Sequence, residues 1–210
     1  MRYHIVSDNL YFLLGVRGLF NRKGLFAFIY YSCEQSTLEL MRDINGHLKP
    51  GDVLVCALND IILRQNVLKL SCVLFGRILF MPFFTVSEKT TGSLPWVLNS
   101  TVTEDAFFIL LKKMETATYS KRNITDKHME TIGFLTSGKT INELVMATGW
   151  TAKKLYYQRT ALLKRCGLTG TTDHEVLLCR DILTLLRRHN VTKAEVPPSQ
   201  HHLSKGEYYS

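Results

Sequence analysis

The stretch from Ile124 to Leu168 constrains the fold more than any other, because it holds three short amphipathic segments separated by capping residues and glycines. Apolar residues spaced by three or four positions are typical of helices that pack one face on a core. The first segment stops at Gly138. The second begins at Thr140 with Glu143 three positions on, as in a capping box, and ends at Gly149. Three helices are therefore predicted in quick succession.

The third segment follows the second after a very short turn. Thr151 is a suitable N-cap, and Leu155, Leu162 and Cys166 fall on one helical face. Two short helices joined by a tight turn that contains glycine form a helix-turn-helix. The sequence therefore predicts this motif, with the third segment as its second helix.

The opposite face of the third segment is polar. At about 100° per residue it carries cations and hydroxyl groups, and no acid occurs between Thr151 and Gly170. Such a face can contact DNA phosphates and base edges together, although a solvated basic face is an equally good interpretation of the charge alone. The residues on this face and its margins are Lys153, Lys154, Tyr156, Tyr157, Thr160 and Lys164.

The whole stretch resembles the helix-turn-helix of LuxR/FixJ (NarL)-type bacterial transcription regulators, whose pattern is LTxREREVL, GxSNKEIA and ISxxTVKxHRxxILxKLGV. Without a gap, ITDKHMETI, GKTINELV and WTAKKLYYQRTALLKRCGL stand at these three elements. The matching spacings are those of Glu130, Gly138, Glu143, Arg159, Leu162, Leu163 and Gly167.

This resemblance implies binding to double-stranded DNA through the polar face of the third helix. It also implies that Arg159, which lies nearer the core edge, contacts the phosphate backbone. Two departures matter. Tyr156 stands where the family has a DNA-contacting lysine, and Asn142 stands at the lysine of NKEIA. An operator that differs from the family consensus is therefore expected.

Residues 1–113 alternate short apolar runs with helical stretches, which predicts an α/β domain with a mostly parallel sheet. The predicted strands are His4–Val6, Leu25–Tyr31, Asp52–Cys56, Ser71–Phe75, Arg77–Phe80 and Pro95–Leu98. The predicted helices are Leu10–Phe20, a segment through Leu38, Leu40, Met41 and Ile44, and Thr103–Met114.

The order of these elements resembles a response-regulator receiver domain. By that resemblance Asp8 is the remaining member of an acidic pair, Ala57 occupies the phosphoacceptor position, and Asn99 replaces an essential lysine. Phosphotransfer to a receiver needs Mg²⁺ held by acids, a carboxylate nucleophile and a neutralising cation. Since alanine supplies no nucleophile, we expect a degenerate receiver-like domain that is not phosphorylated and serves as a scaffold for dimerisation or partner contact.

The domain organisation expected from these patterns is a receiver-like domain over 1–113, a linker over 114–123, an all-α four-helix DNA-binding domain over 124–190, and a mobile tail over 191–210. The fourth helix is predicted from about Asp173 to Arg188. It has two interpretations. The family resemblance implies that it pairs two DNA-binding domains, and the simpler alternative is a helix that packs only on its own domain.

The charge distribution agrees with a DNA-binding module at the C-terminal end. The net charge is +8; residues 121–190 contain 12 basic and 6 acidic residues (12 − 6 = +6), whereas residues 1–113 contain 12 and 9 (12 − 9 = +3). The apolar tract Val67–Phe84 is interrupted by charges, so two buried strands are expected there and no membrane span.

The cysteines and histidines predict no metal site. Five cysteines without a C-x-x-C pair, each in an apolar run, predict buried free thiols in a cytoplasmic protein. His201 and His202 could touch a metal ion, but they are expected to belong to a solvated polar tail.

The function expected from the sequence is a phosphorylation-independent, sequence-specific transcription regulator. It would bind DNA as a homodimer or as a heterodimer with another LuxR-type regulator, and it is most similar to RcsA-like auxiliary regulators and regulators of fimbriae. The alternative is an interaction protein that sequesters a related regulator and hardly binds DNA. An enzyme is not expected, since no phosphate loop, metal spacing, cofactor motif or nucleophile with a placed base occurs.

Overall fold

The computed structural model describes residues 1–84, 94–99, 101–120, 123–170 and 172–195. The strands are β1 (Tyr3–Ser7), β2 (Ala27–Tyr31), β3 (Val53–Ala57), β4 (Arg77–Phe80) and β5 (Trp96–Val97). The helices are α1 (Leu10–Arg22), α2 (Thr37–His47), α3 (Ile61–Lys69), α4 (Glu104–Met114), α5 (Asp126–Leu135), α6 (Ile141–Thr148), α7 (Ala152–Arg165) and α8 (Asp173–Glu195).

The five strands form one parallel sheet in the order β2-β1-β3-β4-β5, which confirms the predicted α/β architecture. The central strand β3 is buried along its whole length. Because side chains alternate between faces along a strand, Leu54 and Cys56 pack in one apolar layer with α2 and α3. Val53 and Val55 pack in the other layer with α1 and α4.

Two elements between β3 and β4 differ from the sequence prediction. Ser71–Phe75, predicted as a strand, is a short 3₁₀ helix, because its backbone closes i to i+3 hydrogen bonds while the chain turns into β4. Helix α3 was not predicted at all. Its N-cap is Asp60, whose carboxylate accepts the Leu63 N–H at 2.9 Å. Within the described ranges, no helix is long and apolar enough to cross a bilayer.

The five cysteines are free thiols, but the prediction that all are buried is wrong for two of them. Cys56, Cys166 and Cys179 are buried, whereas Cys33 is exposed and Cys72 is half-buried. Cys33 lies in the turn that follows β2, where the chain leaves the sheet before α2 begins. The apolar residues that precede Cys33 in the sequence therefore do not predict that its own side chain is buried.

Helix α8 is longer than its sequence pattern predicts. It continues past Arg188 to Glu195, so residues 191–195, predicted as the start of a mobile tail, are helical. The physical reason is that no proline or glycine intervenes before Pro197, so nothing in this segment breaks the helix. The remainder of the predicted tail, including His201 and His202, lies outside the described residues.

Helix α8 connects the sheet to the C-terminal helices. It packs against α5 and α7 on one side and against α3 and the 3₁₀ helix on the other. Every side chain from Glu175 to Leu186 is buried or half-buried, and one apolar cluster runs from the sheet into the helical part. Of the two interpretations of the fourth helix, this arrangement agrees with packing inside its own chain, although the packing also extends to the sheet.

A buried ion pair crosses the seam between α3 and α8. Arg64 Nε lies 2.7 Å from Asp181 Oδ2, and the two side chains are 4% and 2% exposed. The same guanidinium donates from Nη1 to the Leu58 carbonyl at 3.0 Å. Nearer the end of α3, Arg188 Nη2 donates to the Lys69 carbonyl at 2.9 Å. The seam therefore contains fixed charge contacts as well as apolar packing.

The predicted linker contacts both the sheet side of the chain and α8. The Tyr119 hydroxyl donates to the Gly76 carbonyl at 2.7 Å, and the Tyr119 ring stacks on His189 with 4.1 Å between centroids. The Ser120 N–H donates to the Leu94 carbonyl at 3.0 Å. This part of the linker is thus tied to both the sheet side and α8, while the division of the chain at 114–123 stays a prediction.

We expect Asp181→Asn to lower the free energy of unfolding by about 3–5 kcal/mol, because it leaves the Arg64 charge buried without its counter-charge. Urea unfolding measures this change. Asp173→Asn on the same helix is a matched control: Asp173 pairs with Arg159, but its side chain is 94% exposed, so a loss under about 1 kcal/mol is expected. Equal losses in the two variants would contradict the importance of the buried pair.

Candidate nucleic-acid interface

Helices α6 and α7 form the predicted helix-turn-helix. The chain leaves α6 at Gly149, whose φ of 67° lies in the left-handed region that glycine adopts readily. The N-cap of helix α7 is Thr151, whose side chain accepts the Lys154 N–H at 3.2 Å. The capping box at the start of α6 is present. Glu143 accepts the N–H of Thr140 at 2.7 Å and its hydroxyl at 2.8 Å, and these bonds lower the pKa of Glu143.

Helix α7 has one buried face and one exposed face, as its sequence predicts. Leu155, Leu162 and Cys166 are buried, together with Leu163. The exposed side contains every predicted DNA-contacting residue except Arg159: Lys153, Lys154, Tyr156, Tyr157, Thr160 and Lys164. The structure therefore brings these side chains together on one continuous helix surface.

Within the part of the chain that the structure describes, the lysines of this exposed face form no ion pair with an acid. Among the described residues, no salt bridge joins Lys153, Lys154 or Lys164 to a carboxylate. The Lys154 ammonium lies 4.6 Å from the centre of the Trp150 ring, a cation–π contact that restrains it near the turn. The face can therefore offer positive charge to an anionic surface without first breaking an ion pair.

The tyrosines give the same face an unusual amphipathic character. Tyr156 is 54% exposed and Tyr157 is 70% exposed. The Thr160 hydroxyl donates to the Tyr156 carbonyl at 2.9 Å, which leaves its lone pairs available to accept. Rings and hydroxyl groups can contact both the apolar and the hydrogen-bonding edges of bases. The face can thus do more than neutralise phosphates.

Arg159 is placed differently from the other predicted residues. Its side chain is 17% exposed, and its Nη2 atom lies 3.1 Å from Asp173 Oδ1 at the start of α8. The sequence did predict a position near the core edge. Its contact with α8 could not be inferred, because the partner lies beyond the end of the helix-turn-helix.

Sequence reasoning overlooked one exposed apolar side chain near the interface. Met146 on α6 is 87% exposed, whereas Leu144 on the same helix is buried. A separation of two residues turns a helix by about 200°, so a helical projection of α6 would have placed Met146 opposite the core. An exposed methionine on a helix-turn-helix can add apolar contact to a ligand.

The receiver-like positions lie at the carboxyl edge of the parallel sheet. Ala57 ends β3 in register with Ser7 of β1, and it is fully buried. Asp8 Oδ2 accepts the backbone N–H groups of Asn59 and Asp60 at 2.8 and 2.9 Å. Asn99 follows β5, and its side chain accepts the Thr101 N–H. One oxygen of the remaining acid of the predicted pair therefore caps the loop after β3, while its buried Oδ1 atom has no hydrogen-bond partner among the described residues.

Comparisons with known proteins give similarity in architecture only. No protein-family model matches the chain, and no curated protein matches it. Among solved structures, RcsB from Salmonella enterica serovar Typhimurium bound to promoter rprA is 11% identical, with a TM-score of 0.47 over 86% of this chain and 98% of that one.

Two further structures are similar at the same level. An RcsB–DNA complex is 11% identical with a TM-score of 0.48, over 86% of this chain and 98% of that one. The response regulator StyR is 13% identical with a TM-score of 0.38, over 92% and 100%. At such identities and TM-scores, no residue of this chain takes a role from these structures.

Purified protein exposed to acetyl phosphate should carry no acid-labile phosphoryl group, because the Ala57 methyl cannot act as a nucleophile and Asp8 is held by the loop after β3. Intact-mass spectrometry, with a phosphorylatable receiver as positive control, measures this. A mass increase of one phosphoryl group that is lost in acid would overturn the assignment of Ala57.

Proposed function

We propose that this protein is a bacterial, sequence-specific DNA-binding transcription regulator that inserts α7 into the major groove. The observation that supports this most strongly is the exposed α7 face, where Lys153, Lys154 and Lys164 have no acidic partner within the described residues. A rigid helix with cations at both ends and hydroxyl groups between them matches the spacing of phosphates and base edges along a groove.

The side chains of this face have different proposed roles. The three lysines contact phosphates, which supply most of the affinity. Tyr156 and Tyr157 read base edges: their rings fit against thymine methyl groups, and their hydroxyl groups can donate or accept. Thr160 accepts a hydrogen bond from a base. Arg159 is proposed to contribute mainly by holding α7 on α8 through Asp173.

The proposed mode of assembly follows from the position of α8. Two copies cannot pair through the buried residues of α8 while it packs against α3. We therefore propose that a homodimer, or a heterodimer with another LuxR-type regulator, uses a different surface. Regulation is proposed to be independent of phosphorylation, in the cytoplasm, and similar in kind to that of RcsA-like or fimbrial regulators.

A second candidate function rests on Tyr156, which replaces a lysine of the family pattern. A protein that sequesters a related regulator would not need DNA contacts from α7. Salt dependence separates the two functions, because a DNA-binding protein releases condensed counterions and loses affinity steeply as salt rises. It should also prefer its own promoter over random duplex by about a thousandfold or more.

Changing both Lys153 and Lys164 to Ala should remove two phosphate contacts. The slope of log affinity against log salt concentration should then decrease in magnitude by about 2. Genome-wide recovery of bound DNA gives the target promoter, and fluorescence anisotropy at several salt concentrations measures the slope. In cells, the double variant should also occupy the promoter less than the natural chain does.

The matched control for this pair is the change of Lys112 and Lys113 to Ala at the exposed end of α4. It removes the same charge from the other part of the chain and should leave the slope unchanged. In the same assay, Tyr156→Ala should reduce the preference for the promoter over random duplex. Unchanged occupancy and slope in the Lys153 and Lys164 double variant would remove α7 as the DNA-contacting helix.

A further inference from the structure

The seam between α3 and α8 is not completely closed. A cleft of about 240 Å³ opens beside the Arg64–Asp181 ion pair, with one wall from each helix. Lys69 lies on the α3 side, and Arg180, Thr184 and Arg188 lie on the α8 side. The volume fits a small molecule or group and excludes a folded partner.

The charge of the cleft is strongly unbalanced. Of the described residues, three cationic side chains and one acid, Asp181, line it. The charge of that carboxylate is already compensated by a buried residue, because Arg64 Nε lies 2.7 Å from its Oδ2. Arg180 donates to Oδ1 of the same carboxylate from both Nε and Nη2, each at 3.4 Å. Arg64 and Arg180 thus share one carboxylate, and Lys69 and Arg188 add further positive charge, so the cleft keeps a surplus of cations.

The third cation is held in place by the backbone. Arg188 donates to the carbonyl groups of Leu68 and Lys69 at the end of α3. A guanidinium has five N–H donors in a fixed plane, so two carbonyl contacts leave further donors free to bind a ligand. The cleft thus has a preoriented guanidinium on one side and a partly restrained one, Arg180, on the other.

We propose that this cleft binds a small phosphate-bearing anion. A guanidinium group can donate two parallel hydrogen bonds to two oxygens of one phosphate. A phosphate group also carries more negative charge than a single carboxylate, so it compensates the surplus of cations better. Because the walls belong to α3 and α8, a bound anion joins the sheet to the helical part and stabilises their contact. The site does not depend on DNA binding by α7.

Pyrophosphate is a suitable probe for the DNA-free full-length chain. At a concentration tenfold above its dissociation constant, it should raise the midpoint of thermal unfolding by about 3 °C relative to chloride at equal ionic strength. Arg180→Gln and Lys69→Gln should each weaken binding at least tenfold in calorimetric titration. Lys69 is exposed, so its variant tests the site even where Arg180→Gln impairs folding.

Arg187→Gln is the matched control, because Arg187 lies on the same helix but pairs with Asp126 outside the cleft. Its response to pyrophosphate should equal that of the natural chain. Equal responses in all variants, or no response in the natural chain, would overturn the proposal.

A second experiment, with duplex DNA, distinguishes binding of a free anion in the cleft from binding of a DNA backbone phosphate. Random duplex should bind equally to the natural chain and to Lys69→Gln. An equal loss of duplex and pyrophosphate binding in Lys69→Gln would instead make the cleft a DNA contact and overturn the small-anion assignment. The Lys153 and Lys164 double variant should retain the pyrophosphate response, so failure of either proposal is seen independently.

Discussion

The buried ion pair between Arg64 and Asp181 is the constraint on which the arrangement of the two parts depends. Each charge has lost its hydration, and the desolvation cost is compensated only while the partner and the Leu58 carbonyl stay in place. Moving α8 away from α3 would expose apolar surface and also separate these charges. The pair therefore sets the position of α8, and α8 in turn carries the helices that pack on it.

This constraint determines which surfaces are available. Helix α7 turns its leucines toward α8 and leaves its lysines and tyrosines in solvent. Helix α8, which the family resemblance offers as a pairing surface, is used inside the chain. At the carboxyl edge of the sheet, Asp8 caps a loop, and Ala57 completes the apolar layer. The sheet thus acts as a fixed support for α7, with no group at Ala57 that could accept a phosphoryl group.

Much of the helix-turn-helix is predictable from sequence because its signals are local. Thr140, Glu143, Gly149 and Thr151 each act within four residues of their own position, so their roles in the structure are those that the sequence indicates. The buried strand β3 is equally clear, since both faces of a central parallel strand are apolar.

The rest depends on contacts between distant residues. Helix α3 was missed because Arg64, Gln65 and Asn66 interrupt its apolar pattern, and the partner that makes Arg64 a core residue lies 117 positions away. The prediction of a strand at Ser71–Phe75 is wrong for a related reason. An apolar run is consistent with a strand or a buried turn, and only the direction of the neighbouring elements distinguishes them. The contact of Arg159 with Asp173 likewise could not be inferred, since the partner lies 14 positions along the chain.

The central claim is that α8 makes the sheet and the helix-turn-helix one cooperative unit. The chain has two tryptophans, Trp96 in β5 and Trp150 between α6 and α7. Trp96→Phe and Trp150→Phe each leave a fluorescent reporter in one part. In each variant, the fluorescence of the remaining tryptophan and the circular dichroism of the whole chain should follow the same urea transition, with the same midpoint and slope. A Trp150 signal that changes at lower urea than the Trp96 signal would contradict the claim.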